Sequence, residues 1–263
     1  MSRIIPTRYK SMQSLLSSYP RVRPPLSERH EEVYVSEYKR SRSGGGGLPG
    51  LVARVESWMH KQILGSGQPD RILELGAGTL NHVPFECNAQ EYDVVEPFRE
   101  LWEGSPQLPR VRRIYGDISE IPDSSRYDRI VSVAVLEHLT DLPYVVAYCG
   151  TLLDDGGQLK AGVPSEGGFL WSLGWRATTG LSFWLRVRMS YEPYILHEHV
   201  NQVDEIVAVV NYFFADVEIR RFPLPGKHAS LYTSLSASKP RIDVCAEFLN
   251  ERRLVKVAGD GAI

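Results

Sequence analysis

The sequence predicts an α/β fold: an open, mostly parallel sheet with helices on both faces that ends in an antiparallel hairpin. Two observations carry this expectation. From Arg71 onward, short apolar runs alternate with longer mixed segments, the rhythm of successive βαβ units. Near the end of the chain that rhythm stops. Val217 to Phe222 and Ser230 to Ser236 read as strands with only Pro223 to Ala229 between them. A connection that short cannot hold a helical crossover, so the two runs pair antiparallel or lie apart. Composition agrees. With 263 residues, 43% hydrophobic and 24% charged, the chain can bury a full core without disulfides or a structural metal.

Composition also narrows the function classes. Thirty basic against 32 acidic residues leave a net charge of -2, without the basic excess of a generic nucleic-acid binder. Cys87, Cys149 and Cys245 are far apart and form no C-x-x-C pair, which points to a reducing compartment and away from a disulfide scaffold or a zinc site. No apolar stretch has signal-peptide length, and none reaches the ~18 residues of a membrane span. A cytoplasmic protein is expected, with no integral membrane segment and no nucleic-acid partner; a homodimer is left open.

Taken in order, residues 1–47 read as an N-terminal arm. Pro20, Pro24 and Pro25 break any long helix. Tyr34 and Tyr38 then fall four apart on a helical face, with Val35 three before Tyr38, and Gly44 to Gly47 form a joint. The tyrosines favour an arm docked on the body over a disordered tail. Residues 48–240 form the main domain, opening with an amphipathic helix over Leu51 to Leu64. Five buried strands follow, at Arg71–Leu75, Tyr92–Val95, Val111–Tyr115, Asp128–Ala134 and Gln158–Val163. Residues 167–200 read as an insertion, Val203 to Val210 as a core helix, and 241–263 as a C-terminal tail. Together with the hairpin this makes seven strands.

The first strand runs into Glu74-Leu-Gly76-Ala-Gly78-Thr79. A glycine turn between strand and helix lets a ligand approach the backbone and points amides at it. Alone it is a weak signal, since such turns also serve as plain tight turns. Glu96 closes the second strand 20 residues after Gly76, where a carboxylate accepts ribose hydroxyls. Asp117 follows the third strand 21 residues later, placed for an adenine amine. A dinucleotide wants Gly-x-Gly-x-x-Gly, but Asn81 stands at the third position, and Glu74 would repel a pyrophosphate. A cationic ligand such as S-adenosylmethionine (SAM) suits Glu74 better.

Glu74-Leu-Gly-Ala-Gly78, Glu96, Gly116-Asp117-Ile118 and Val135-Leu-Glu-His-Leu139, in this order, resemble the class I SAM-dependent methyltransferases, small-molecule branch. The likeness is strong over residues 70–165 and extends to the terminal hairpin. It implies a Rossmann-like, seven-stranded sheet and SAM as cofactor. Glu74, Gly76 and Gly78 would line its methionine and ribose portion. Glu96 would hold the ribose hydroxyls, Asp117 and Ile118 the adenine, and Ala134 the methionine part. Leu80 departs from the family pattern, which often has a third glycine there.

Methyl transfer from a sulfonium is a displacement in which the protein mainly aligns the nucleophile. A hydroxyl acceptor also needs a base. His199, His138 and His197 are the candidates, in that order. Some quinone-pathway relatives use Glu-His at 137–138 with an upstream acid to hold a metal; here that upstream position is Ala134, so no metal is carried over. His197-Glu-His199 has no third ligand at a recognisable spacing. The insertion concentrates Trp171, Trp175 and Trp184 with Arg176, Arg186 and Arg188. It reads as a lid over an apolar or aromatic substrate, as a dimer interface or core, or as a membrane-surface element. Tyr38, Trp171, Trp175 and His228 are the substrate-side candidates. The reading is a methyltransferase for a small-molecule acceptor, directed at a hydroxyl, in natural-product or glycan tailoring. An N-methyltransferase or a catalytically silent SAM-binding partner are the alternatives.

Overall fold

The computed structural model describes residues 5–34, 58–64 and 70–260. Tyr38, the glycine joint and most of the helix expected over Leu51–Leu64 lie outside them; residues 58–62 of that helix are helical (α3), as are residues 28–34 (α2) and Arg99–Trp102 (α4).

Seven strands form one sheet, β1 Arg71–Leu75, β2 Glu91–Val95, β3 Arg113–Tyr115, β4 Tyr127–Val133, β5 Leu153–Pro164, β6 Phe214–Pro223 and β7 Ser230–Pro240. Their order is β3-β2-β1-β4-β5-β7-β6. The first five strands run parallel, while β7 pairs antiparallel with both β5 and β6. The expected terminal hairpin is therefore inserted with its second strand inward. The chain grows outward from β1 to β3, then restarts at β4 on the other side of β1. Gly76 and Val135 follow the two strands at that reversal.

Alternation along the strands assigns the two faces. Leu73, Leu75, Ile130, Leu159 and Val163 face one core together with α5 (Leu142–Leu152), α9 (Val203–Phe213) and α10 (Ile242–Asp260). Ile72, Val94 and Val131 face the other, with Ile63, Leu80 and Val83 over them. Residues 242–260, expected as a tail, are helical instead. Their apolar side packs Cys245 and Leu249 into the first core, and Gly150 of α5 gives room for the Cys245 thiol, to which a Cβ would come within 2.7 Å.

The insertion is three helices, α6 Phe169–Trp175, α7 Leu181–Val187 and α8 Glu192–Glu198, with a π-helical turn at Arg176–Gly180 joining the first two. From Phe169 to Val200 only Phe183, Met189 and Tyr194 are buried, in a small cluster shared with Leu26 and Val33. Phe169, Leu173, Leu181, Trp184 and Leu185 are exposed, which removes the plain-core alternative for this segment.

The N-terminal segment is anchored by a polar clamp. α1 (Met12–Leu16) buries Leu15 and Leu16 against the main core. Beyond it the Tyr19 hydroxyl donates to Asn201 Oδ1 at 2.8 Å. Arg21 donates to both oxygens of Glu205, at 2.5 and 2.9 Å, and Tyr9 adds a bond of 2.8 Å. Glu205 in turn accepts from the Gln202 amide at 2.8 Å, closing the capping box at the start of α9. Burial alone would raise the Glu205 carboxyl, but the Arg21 guanidinium and the Gln202 amide outweigh it and hold it down at about 2.

Removing Arg21 strands a buried charge, which typically costs about 3–5 kcal/mol; Arg8 also reaches Glu205, so Arg21→Ala is expected near the lower end. Glu205 binds its proton more weakly folded than unfolded, so its contribution is full above about pH 4.5 and drains as pH falls through about 2. Urea midpoints should show the deficit of Arg21→Ala at pH 7 and a smaller one at pH 3. An equal deficit at both would remove the clamp as its cause.

Candidate active site at the carboxyl edge of the sheet

Each of the first five strands delivers a site segment at its carboxyl end. Where strand order reverses, the loops after β1 and β4 diverge over the sheet edge, and ligands of open α/β sheets settle in that crevice. The β1 turn is tied to its neighbour by the Gly76 amide, 2.8 Å from the Val95 carbonyl. Gly76 has φ +65°, and a Cβ there would lie 2.4 Å from Val135 Cγ2. Glycine is thus required at the point where the two loops touch. Leu80 also takes the left-handed region, at φ +67°, with its side chain fully buried in the second core. The backbone path that a third glycine would ease is therefore held by packing.

Glu96 is buried at this edge. One oxygen accepts from the Gly78 amide at 2.8 Å and the other from the Phe98 amide at 3.0 Å. These bonds fix the carboxylate and leave each oxygen a second lone pair. Asp117 is exposed and caps a short 3-10 turn, accepting from the Ser119 amide at 2.9 Å; Ile118 beside it is buried. Ala134 sits at φ +53° and donates its amide to the Gly162 carbonyl at 2.7 Å, so the β4 loop leaves the sheet sharply.

Glu74 does not open into solvent. It is buried, with Oε2 accepting from the Tyr92 hydroxyl at 2.8 Å. Burial pushes its carboxyl up to about 8, opposed by the Tyr92 bond and reinforced by the charges of Glu96 and Glu86.

The β4 and β5 loops build the other end of the edge. Leu136–His138 is a 3-10 turn after β4, and Glu166 follows β5. The carboxyl end of α8 brings His199 to them. The His138 and His199 rings meet edge to face at 4.8 Å between centroids. His199 Nδ1 is engaged by Glu166 Oε2, and His138 Nδ1 by the Glu198 carbonyl at 2.9 Å. Trp171 of α6 stacks over His199 at 6.3 Å and meets Tyr232 of β7. Burial lowers His138 to about 4. Burial would lower His199 too, but the Glu166 bond and charge outweigh it and the net direction is upward. Burial raises Glu137 to about 7 against the pull of His199.

Of the expected catalytic histidines, His138 and His199 come together and His197 does not. His197 lies on the exposed side of α8, with Nδ1 2.7 Å from the Pro24 carbonyl, and serves to hold the N-terminal segment. The i, i+2 spacing on a helix sends the two rings apart. His228 is exposed in the β6–β7 hairpin, and Trp175 packs on Tyr191 under Arg176. Neither joins the cluster. Sequence reasoning set Glu137 aside together with the metal and missed Glu166 and Arg23. Arg23 donates to the carbonyls of His138, His197 and Glu198 at 3.0–3.1 Å and so ties the loops together. The signal for Glu166 was positional, an acid just past the carboxyl end of a strand. His199 also lines a cleft of about 310 Å³ with Pro20, Arg21, Val22, Pro24 and Leu196. A larger cleft, about 480 Å³, is lined by α1 and α10 residues such as Gln13, Tyr19 and Glu247 and by none of the carboxyl-edge loops.

No protein-family model and no curated protein matches the sequence. Solved structures do match in fold. A SAM-dependent methyltransferase from Thermotoga maritima superposes with a TM-score of 0.53 at 16% identity, over 79% of this chain and 97% of that one. An O-methyltransferase family protein from Burkholderia thailandensis gives 0.52 at 13% identity, over 87% of this chain and 67% of that one. The fold is that of the class I methyltransferases. That agreement extends to the seven-stranded, mostly parallel sheet and its antiparallel hairpin.

Because Glu74 binds its proton more tightly folded than unfolded, its contribution to stability is full below about pH 4.5 and is lost as pH rises through about 8. Glu74→Gln keeps an acceptor for Tyr92 and has no charge to bury. The variant should gain on the wild type by up to about 1.4 kcal/mol per pH unit across that window, read as the difference in thermal or urea midpoints at pH 5 and pH 8. A constant difference would mean that Glu74 is ionised in the fold.

Proposed function

We propose that the chain is a SAM-dependent methyltransferase acting on the hydroxyl of a small molecule. The observation that carries this is the placement of two chemically different halves on one sheet edge, joined where Gly76 meets Val135. One half is the glycine turn with Glu96 and Asp117, suited to an adenosine. The other is the Glu137-His138-His199-Glu166 cluster under Trp171, suited to a protic acceptor.

On this reading the second lone pairs of Glu96 accept the ribose hydroxyls, while Asp117 and the Ile118 amide take the adenine. Glu74 lies beneath the turn as a carboxyl that a nearby positive charge would ionise, which matches a ligand carrying an ammonium and a sulfonium. The acceptor sits between the sulfonium and the histidine cluster. Its oxygen lone pair forms the bond to the methyl carbon, the carbon–sulfur pair returns to sulfur, and the hydroxyl proton leaves toward the cluster. Trp171 gives the acceptor an apolar wall, and the cleft between residues 18–24 and 196–200 is of small-molecule size.

Calorimetric titration with S-adenosylhomocysteine tests the cofactor half. Glu96→Ala removes two charge-assisted bonds, each worth roughly 1.5–3 kcal/mol at most, so affinity should fall ~10-fold or more. Wild-type protein that binds neither SAM nor its product overturns the proposal. Trideuteromethyl SAM with a panel of hydroxyl and amine acceptors separates the acceptor classes by product mass. His199→Ala should lose about 10²–10⁴ in single-turnover rate with little change in SAM affinity. A rate within a few-fold of wild type would favour an amine acceptor, for which alignment suffices.

A further inference from the structure

We propose that Glu137, His138 and His199 bind one divalent transition-metal ion at the acceptor end of the cleft. Its chemical use rests on the methyl-transfer reading above; its binding does not. Each of the three residues offers a ligand atom, and these atoms lie within 4.8 Å of one another. Ligand atoms held at about 2.0–2.2 Å around a tetrahedral ion lie about 3.3–3.6 Å apart. Small rotations of the rings and the carboxyl would therefore close a shell of two imidazoles and one carboxylate, a donor set common for first-row ions.

The hydrogen bonds around the rings set the tautomers that such a site needs. Both Nδ1 atoms face acceptors, the Glu198 carbonyl for His138 and the Glu166 carboxylate for His199. A proton on each Nδ1 leaves each Nε2 with an open lone pair. His138 Nε2 lies 4.0 Å from Glu137 Oε1, too far for a hydrogen bond. A carbonyl behind one ring and a carboxylate behind the other is the outer-shell arrangement that orients metal-bound histidines. Arg23 fixes the Glu198 carbonyl in turn, at 3.1 Å.

Glu137 supplies an independent observation. Its side chain is 2% exposed, and its buried Oε2 has no hydrogen-bond partner among the described residues. Of the other buried acids among the described residues, Glu86, Asp93 and Glu205 are paired with Arg129, Arg112 and Arg21, Glu96 accepts two backbone amides and Glu74 accepts the Tyr92 hydroxyl. A carboxyl buried without a cation is costly, and at Glu137 the convergent groups are imidazole nitrogens. A cation there satisfies the acid and both Nε2 lone pairs together. With three protein ligands the ion keeps open positions. With the ion bound, both Nε2 atoms are ligands, so an acceptor hydroxyl at an open position would give its proton to solvent instead of to the rings; its oxygen pair would form the bond to the SAM methyl carbon as the carbon–sulfur pair returns to sulfur. Ala134 lacks the acid that would complete a ligand set within the β4 loop. The third ligand instead comes from the end of α8, 61 residues after His138.

The test uses the full chain, freed of metal with a chelator and titrated with Co(II), followed by ligand-field absorption and calorimetry. One equivalent per chain is expected. Affinity should drop at least 10-fold in His199→Ala and in Glu137→Gln, and about 10–100-fold in Glu166→Gln, which removes an outer-shell partner and no ligand. His228→Ala, at an exposed histidine outside the cluster, should bind as the wild type does. Titration with S-adenosylhomocysteine on each variant reports whether the sheet edge is intact, and Glu166→Gln decides where a ligand variant fails that control. Wild type that takes up no stoichiometric Co(II), or uptake unchanged in Glu137→Gln and Glu166→Gln, overturns the metal site and leaves the methyl-transfer reading standing if S-adenosylhomocysteine still binds. Co(II) uptake that follows the variants, in a protein that binds no S-adenosylhomocysteine, keeps the site and overturns that reading.

Discussion

Parallel pairing of β1 with β4 is the constraint on which the rest of the site depends. Leu75 sits opposite Ser132 in that ladder, so the two strands end level and their loops leave the sheet side by side. Everything placed by sequence at a strand end then shares one edge: Gly76 and Gly78 after β1, Glu96 after β2, Asp117 after β3, His138 after β4 and Glu166 after β5. The contact between Gly76 and Val135 is the narrowest point of this arrangement. A side chain at Gly76 would force the loops apart and separate the adenosine-like half from the histidine half.

A second layer of organisation holds the non-sheet pieces against that edge. Asn201, fully buried, donates to the carbonyls of Leu136 and Leu139 at 2.9 and 2.7 Å while accepting from Tyr19. It therefore joins the β4 loop, the segment before α9 and the N-terminal segment through one side chain. Arg21 and Arg23 repeat the pattern on either side of it. His138 and His199 owe their meeting to these bonds as much as to the sheet. The N-terminal segment is in this sense part of the site wall, although its composition reads as a polar arm.

Legibility in the sequence followed the range of the interaction. β1, β2 and β4 were readable because burial on both faces demands apolar runs, and the hairpin because seven linking residues leave one sensible geometry; β3, shorter than expected, and β5 and β6, longer, carry exposed positions that blur their ends. The gathering of the glycine turn, Glu96 and Asp117 at one edge was readable because they lie within 44 positions from Glu74 to Ile118 and their spacing follows the βαβ repeat. The histidine cluster was not, because it is assembled across distance. His199 is joined to Glu166 across 33 positions and Arg23 to His138 across 115, and no local period marks either pairing. His197 misled for the same reason: proximity to His199 in sequence says nothing about its ring, which the helix turns toward Pro24. Residues 241–263 are expected as a tail, yet the few that α10 buries, Cys245 and Leu249, suffice to dock it.

The buried acids show where structure ends and function begins. An acid that serves the fold can be matched with an arginine at no functional loss, and Glu86, Asp93 and Glu205 are matched in that way. Glu74 and Glu137 are buried as deeply, yet among the described residues Glu74 meets the Tyr92 hydroxyl and the acids Glu96 and Glu86, and Glu137 meets its own backbone amide, His199 and Glu166. Leaving a carboxyl in that condition lowers the stability of the empty protein at neutral pH, so the arrangement makes physical sense if a cation arrives. Glu74 lies two residues before the glycine turn, and Glu137 lies beside His138 and His199. On the readings proposed, the first would meet the positive charge of an organic cofactor and the second an ion that imidazole nitrogens also bind.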